Sequence, residues 1–309
     1  MSGFSCVPAA KVAPAPERVN GTALGWDSAL QMRGGFVTVP PRMIGSSYAN
    51  YTVLERLAQG GMAEIFLVMD GSGQRYVLRV LLPQFRFDWT SSRRFRAGCE
   101  VSSQLSHPNI VRCHEFGKFR GRRYCILEYV DGANLKECIL RSDAQLRANQ
   151  KTLLIGLAAG LAHVHERGFL HLDFKPENVL ISRAYEPKII DFDLAIPRPA
   201  TPKKIAKLSG TPAYLAPEQI MRQPVDERAD IFAYGLTVYE LLSGKKPITG
   251  DTRDEVIQKY ADFNQHLKPL REHLPGIPPV IERVVLKCLE KDVSRRYPSM
   301  SLVVRDLQS

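Results

Sequence analysis

The chain has 309 residues, enough for one large domain or two modest ones, and its 44% hydrophobic and 24% charged content is ordinary for a globular protein. The formal net charge is +10, yet like charges form no long run, which argues against a nucleic-acid-binding tail. The excess reads either as a solvated basic surface or as a face for an acidic or phosphate-rich partner.

Residues 1–47 are rich in Ala, Pro, Gly and Val. A stretch such as VPAAKVAPAPERVNG buries too little apolar surface to offset its ordering entropy, so a disordered arm is expected there. From residue 48 the pattern changes. YTVLERLAQ and AEIFLVMD alternate as strands, with Gly60 and Gly61 between them. GSG at 71–73 makes a hairpin turn, and RYVLRVLL follows as a third strand. DWTSSRRFRAGCEVSSQLS reads as a helix with Asp88 or Thr90 as N-cap. IVRCHEFGKFRGRRYCILEYV gives two more strands, so that five strands and one helix make a small lobe over 48–130.

Residues 131–309 turn helical. NQKTLLIGLAAGLAHVHERG spaces its Leu and Ile at helical intervals and stops at Gly168. ERADIFAYGLTVYELLSG is apolar nearly all round and belongs in a core, while PPVIERVVLKCLEKD and SMSLVVRDLQS are amphipathic and close the chain. The expected fold class is α+β. No stretch of about 18 apolar residues occurs, so no membrane segment is expected. The six cysteines lack CxxC and zinc-ligand spacing and are expected to be reduced thiols of a cytoplasmic protein. His163 and His165, two apart on a helix, do not share a face and are not expected to bind metal.

Four motifs fall in order along this framework: LAQGGMAEIFLV at 57–68, HLDFKPENVLI at 171–181, IIDFD at 189–193 and GTPAYLAPE at 210–218. Together they resemble a eukaryotic-type, bacterial-like Ser/Thr protein kinase from about Tyr48 to Ser309. The resemblance implies a two-lobed kinase domain over 48–309 that binds ATP and Mg2+ (or Mn2+) between its lobes. It further implies that Asp173 orients the substrate hydroxyl, that Lys175 contacts the transferring phosphate, and that Asn178 and Asp191 hold the metal through oxygen donors. Gly60, Gly61, Ala63, Ile65, Val77 and Arg79 would contact the nucleotide from the small lobe. Glu128 and Val130 would offer backbone groups to adenine, with Leu127 as gatekeeper, and Leu180 would floor the ring. Glu218 and Arg296 resemble a buried ion pair, and Asp230 a brace for the catalytic loop. Thr211 would stand near Asp173.

Several positions depart from that pattern. Ala58 and Ala63 replace glycines of the phosphate loop, and Val77 replaces the alanine over adenine. Arg79 stands for the lysine that holds the α- and β-phosphates, a swap that keeps charge but changes size and shape. The helix glutamate that would pair with it falls on Gly98, while Glu100 lies roughly 200° further round the helix and is expected either on a solvated face or against Arg79. Asp193 replaces the glycine after Phe192; its carboxylate would bind the metal, repel phosphate or point to solvent. Leu172 replaces the arginine that receives an activation-segment phosphate, which makes switching at Thr201, Ser209 or Thr211 less expected. Two readings follow: transfer of the ATP γ-phosphate to a protein hydroxyl with impaired activity, or a dead pseudokinase that scaffolds a protein partner with or without nucleotide.

Overall fold

The computed structural model describes residues 43–204, 210–250, 252–260, 263 and 267–309. The small lobe is a six-stranded antiparallel sheet in the order β1-β2-β3-β4-β6-β5. The strands are β1 (Ser47–Tyr48), β2 (Tyr51–Gln59), β3 (Ala63–Met69), β4 (Arg75–Leu81), β5 (Cys113–Phe119) and β6 (Arg122–Glu128). β1 is additional to the five strands legible in the sequence. It pairs Ser47 with Thr52, and Met43 packs with Tyr48 against the sheet, so residues 43–47 are part of the lobe. Residues 1–42, the rest of the expected arm, lie outside the described residues.

Alternation along each strand sorts side chains to two faces. Leu78 and Val80 of β4 pack with Val53, Phe66, Val68 and Ile126 on one face. Val77 faces the other way, into a cluster with Leu57, Ala58, Ile65, Val130 and Leu180. Arg79, two residues on, shares the face of Val77, the one turned toward the large lobe. The same period-two pattern that builds the sheet therefore aims a guanidinium into the gap between lobes.

Helix α1 (Trp89–Ser103) is capped by Asp88, whose carboxylate accepts from the Thr90 N–H at 2.9 Å. It buries Phe95, Cys99, Val101 and Ser102 against the sheet and the lobe junction, and the small Gly98 lies on this buried face. In the large lobe, α2 (Leu135–Leu140), α3 (Ala144–Ala148) and α4 (Gln150–Glu166) lead to the loop 171–178. α5 (Pro217–Ile220), α6 (Arg228–Ser243) and α7 (Arg253–Lys259) follow, and the chain closes with helices over Leu270–His273, Pro279–Cys288 and Met300–Gln308. From Ala229 to Leu242 every residue of α6 is buried, as its all-round apolar sequence requires. The fold is thus the α+β, two-lobed arrangement expected.

Two short sheets lie at the junction of the lobes. β7 (Gly132–Asn134) pairs with β9 (Val179–Ser182), which pairs with β10 (Pro187–Ile189). β8 (Phe169–Leu170) pairs with β11 (Ile196–Pro197). The loop from His171 to Asn178 therefore runs between β8 and β9, and Asp191 to Asp193 leave β10 directly beneath it.

Candidate active site

The catalytic loop is built around one buried carboxylate. Asp230, wholly buried near the start of α6, accepts from the backbone N–H groups of His171 and Leu172, both at 2.8 Å, and lies 2.9 Å from His165 Nε2. Burial pushes its pKa up, but the hydrogen bond from His165 and the donors of the loop outweigh burial and hold the carboxyl below its usual range. Leu172 sits at φ 60° and is buried in the large-lobe core. It presents an aliphatic side chain to that core and no cation to the activation segment. Thr201 is exposed, and Ser209 lies outside the described residues.

This brace presents the three polar residues of the loop together. Lys175 Nζ donates to Asp173 Oδ2 at 2.8 Å and to Thr211 Oγ1 at 2.9 Å. Asn178 Nδ2 donates to the Asp173 carbonyl at 2.8 Å and lies 3.1 Å from Asp173 Oδ2. With its amide nitrogen so engaged, Asn178 has its oxygen left for another ligand, and it lines the interlobe cleft with Asp191.

Asp191 leaves β10 at φ 64° and accepts from the Asp193 N–H at 3.3 Å. Burial opposes its ionisation, but Arg79 and Lys175 outweigh burial and lower its pKa. Phe192 lies against the His171 ring, with centroids 4.9 Å apart.

Arg79 has a partner that the sequence did not reveal. Its Nη1 and Nη2 meet Asp193 Oδ1 and Oδ2 at 2.8 and 2.5 Å, a forked, in-plane pair. Asp191 Oδ1 lies 3.6 Å from Nη2, and the Phe95 ring lies 5.0 Å from the guanidinium carbon. Burial works against the charge of Arg79, yet the two carboxylates more than offset it and raise its pKa. Asp193 therefore neither points to solvent nor stands free as an extra metal ligand. Glu100 is on the solvated side of α1, paired with Arg96 at 2.5 Å, and does not serve Arg79.

The cleft holds about 360 Å³ and is lined by Gly60, Gly61, Ala63, Ile65, Arg79, Leu127, Asn178, Asp191 and Asp193, among others. Val77, Val130 and Leu180 belong to an adjoining apolar cluster that spans both lobes, and Ile65 lies in both settings. The Glu128 carboxylate is held by Lys188 Nζ at 2.7 Å and by the Arg112 N–H at 3.1 Å, and the Glu128 N–H donates to the Arg112 carbonyl at 2.8 Å. The residues fit Mg-ATP. Asp191 and Asn178 are hard oxygen donors, Arg79 and Lys175 supply cations for phosphate, and Mg2+ commonly completes its shell with phosphate and water. Among the described residues no cluster of three or more His, Cys, Asp or Glu is placed to hold a metal by itself.

Comparison with known proteins agrees with this geometry. The family described as Protein kinase domain matches residues 51–306. The chain is 30% identical over 268 residues to a probable serine/threonine-protein kinase PknB of Lactococcus lactis, covering 85% of this chain and 42% of that protein. It is 29% identical over 264 residues to the serine/threonine-protein kinase PrkC of Bacillus subtilis, covering 84% and 40%. Against the serine/threonine-protein kinase pkn2 of Myxococcus xanthus it is 31% identical over 259 residues, covering 81% and 31%. The chain thus spans less than half the length of these relatives. With the lobes, the loop brace and the family match in agreement, the chain belongs to the protein kinase family.

Proposed function

We propose that this domain transfers the γ-phosphate of ATP to a serine or threonine hydroxyl of a protein, at a rate reduced by the change of phosphate anchor. The observation that carries the reading is the closed hydrogen-bond set of Asp173, Lys175, Asn178 and Thr211 opposite Asp191. In the reaction the substrate oxygen bonds to the γ-phosphorus, the bond from that phosphorus to the β–γ bridging oxygen breaks, and ADP leaves with the electron pair. The hydroxyl proton passes to the Asp173 carboxylate. Lys175 places its ammonium beside that carboxylate, where it offsets charge on the transferring group. A divalent cation, Mg2+ or Mn2+, held by Asp191 and Asn178 would neutralise phosphate charge.

The pseudokinase reading rests on Arg79, Gly98, Val77, Asp193 and, in the phosphate loop, Ala58 and Ala63. Both methyl groups are buried in apolar clusters, Ala58 with Val77 and Ile65, Ala63 with Leu81 and Phe95, which supports a loop that still admits phosphate. The exposed pair Lys203 and Lys204 in the activation segment supports an acidic protein substrate. Arg198 is partly occupied by Glu227 at 3.6 Å, and Lys207 lies outside the described residues. Among the described cysteines, Cys113 and Cys125 have their sulfurs 3.3 Å apart. Among the described residues no helix is long and apolar enough to cross a membrane.

The test is γ-phosphate incorporation into generic protein substrates with Mg-ATP or Mn-ATP, beside Asp173→Asn. Incorporation lost in the variant supports the reading; none above the variant with either metal sinks it in favour of a scaffold.

A further inference from the structure

The pattern this chain resembles has a lysine at position 79, its glutamate partner at 98 and a glycine at 193; here the three are Arg79, Gly98 and Asp193. We propose that these are one coupled change, in which Asp193 is a positioning residue that holds the Arg79 guanidinium toward the phosphates of a bound nucleotide. The inference rests on the reading above only as far as nucleotide binding.

The geometry makes the three positions interdependent. Asp193 grips the two terminal nitrogens of Arg79. A guanidinium has more N–H donors than one carboxylate accepts, so Nε and the outer N–H groups stay available on a side chain that lines the cleft with Gly60 and Gly61. A lysine ammonium, a single point charge, would gain less from a planar fork. The side chains of Arg79 and Asp193 are only 16% and 9% exposed. Loss of either carboxylate or cation would leave the other poorly solvated.

Gly98 makes room for this arrangement. A Cβ added there would lie 2.5 Å from Asp193 Oδ1, 3.0 Å from its Cα and 3.1 Å from its nitrogen. No side chain fits at 98 while Asp193 stays where it is. Arg94 secures the segment from the same helix, with Nε donating to the Asp193 carbonyl at 3.2 Å. The acid that orients the phosphate anchor has thus moved from α1 to the segment that carries Asp191.

The same numbers point to an exchange that tests the idea. Removing the side chain at 193 clears the 2.5 Å contact, the backbone at 193 has to give by a few tenths of an ångström, and an aspartate at 98 then returns a carboxylate oxygen to the space Asp193 Oδ1 now fills. Affinities for Mg-ATP and for adenosine, which has no phosphate to reach Arg79, would be measured by calorimetry on the full chain. Asp193→Asn is expected to weaken Mg-ATP roughly tenfold or more, the scale of a lost charge-assisted bond, while adenosine changes by less than about twofold. Gly98→Asp/Asp193→Gly is expected to recover most of the Mg-ATP affinity. Equal weakening of both ligands, unchanged Mg-ATP affinity in Asp193→Asn, or no Mg-ATP binding by the wild type would each overturn the proposal. Should Asp193→Asn not fold, the exchanged protein decides: Mg-ATP binding near wild type supports the proposal, and adenosine binding without it, or failure to fold, overturns it. A wild type that shows the expected pattern but incorporates no phosphate keeps this inference and loses the proposed activity. The reverse outcome, activity with Mg-ATP affinity indifferent to position 193, does the opposite.

Discussion

Lys175 and Thr211 come from loops 36 residues apart, yet the lysine ammonium donates to the threonine hydroxyl at 2.9 Å. The contact ties the activation segment to the catalytic loop without any phosphate group. Thr211→Val keeps the shape and removes the acceptor. With phosphoryl transfer as the assay, kcat is expected to fall roughly tenfold to a hundredfold, the scale of a bond to a charged group, with little change in KM for ATP. Thr211→Ser should recover most of the rate. A Val variant with wild-type kcat would show that the contact has no part in catalysis.

Asp230 gives a stability prediction with a defined pH window. Its folded pKa lies below the ordinary aspartate value, so it contributes stability that is fully present above the unfolded pKa and is lost as pH falls through the folded one. Asp230→Asn is expected to cost about 3 kcal/mol near neutral pH, because an amide turns a donor toward N–H groups that need an acceptor. The gap between variant and wild type in urea unfolding should be flat above about pH 5 and narrow below about pH 4. A gap that persists undiminished at lower pH would contradict the assignment.

The Glu218–Arg296 pair should resist conservative replacement. Arg296 meets both Glu218 oxygens at 2.8 Å, donates to the carbonyls of Arg228 and Glu290, and lies 4.6 Å from the Phe232 centroid. Lysine cannot reproduce that fork. Arg296→Lys is expected to lose about 3 kcal/mol of unfolding free energy, approaching Arg296→Ala rather than wild type.

Gly132, at the start of β7, admits no side chain. A Cβ there would stand 1.9 Å from the Ile181 carbonyl oxygen of the neighbouring strand. Gly132→Ala is expected to destabilise the domain by at least about 1–3 kcal/mol, and it should displace the strand that carries Leu180. Thermal melting, and affinity for adenosine, would register the two effects separately.

The lobes and the catalytic loop were legible in the sequence because their signals are local. RYVLRVLL read as a strand, Asp88 preceded a helical pattern, and Asp173, Lys175 and Asn178 lie within one short loop. Helical phase put Glu100 roughly 200° round from position 98 but left both settings open, and the structure pairs it with Arg96. The two-residue β1 gave too little periodicity to stand out from the arm. The partner of Arg79 was not legible for a different reason. Asp193 is 114 residues away, and no spacing rule connects a strand residue to a loop residue at that distance. The signal that existed was the coincidence of three departures at positions 79, 98 and 193. It became readable only when the structure placed them in contact.

The close approach of Gly98 to Asp193 also bears on how such a site can change over generations. A side chain acquired first at 98 collides with Asp193, and loss of Asp193 first strands a buried cation. On the proposal above, each single step toward the commoner arrangement is unfavourable and only the two together would restore a paired cation, so the order of substitutions would decide which paths are open.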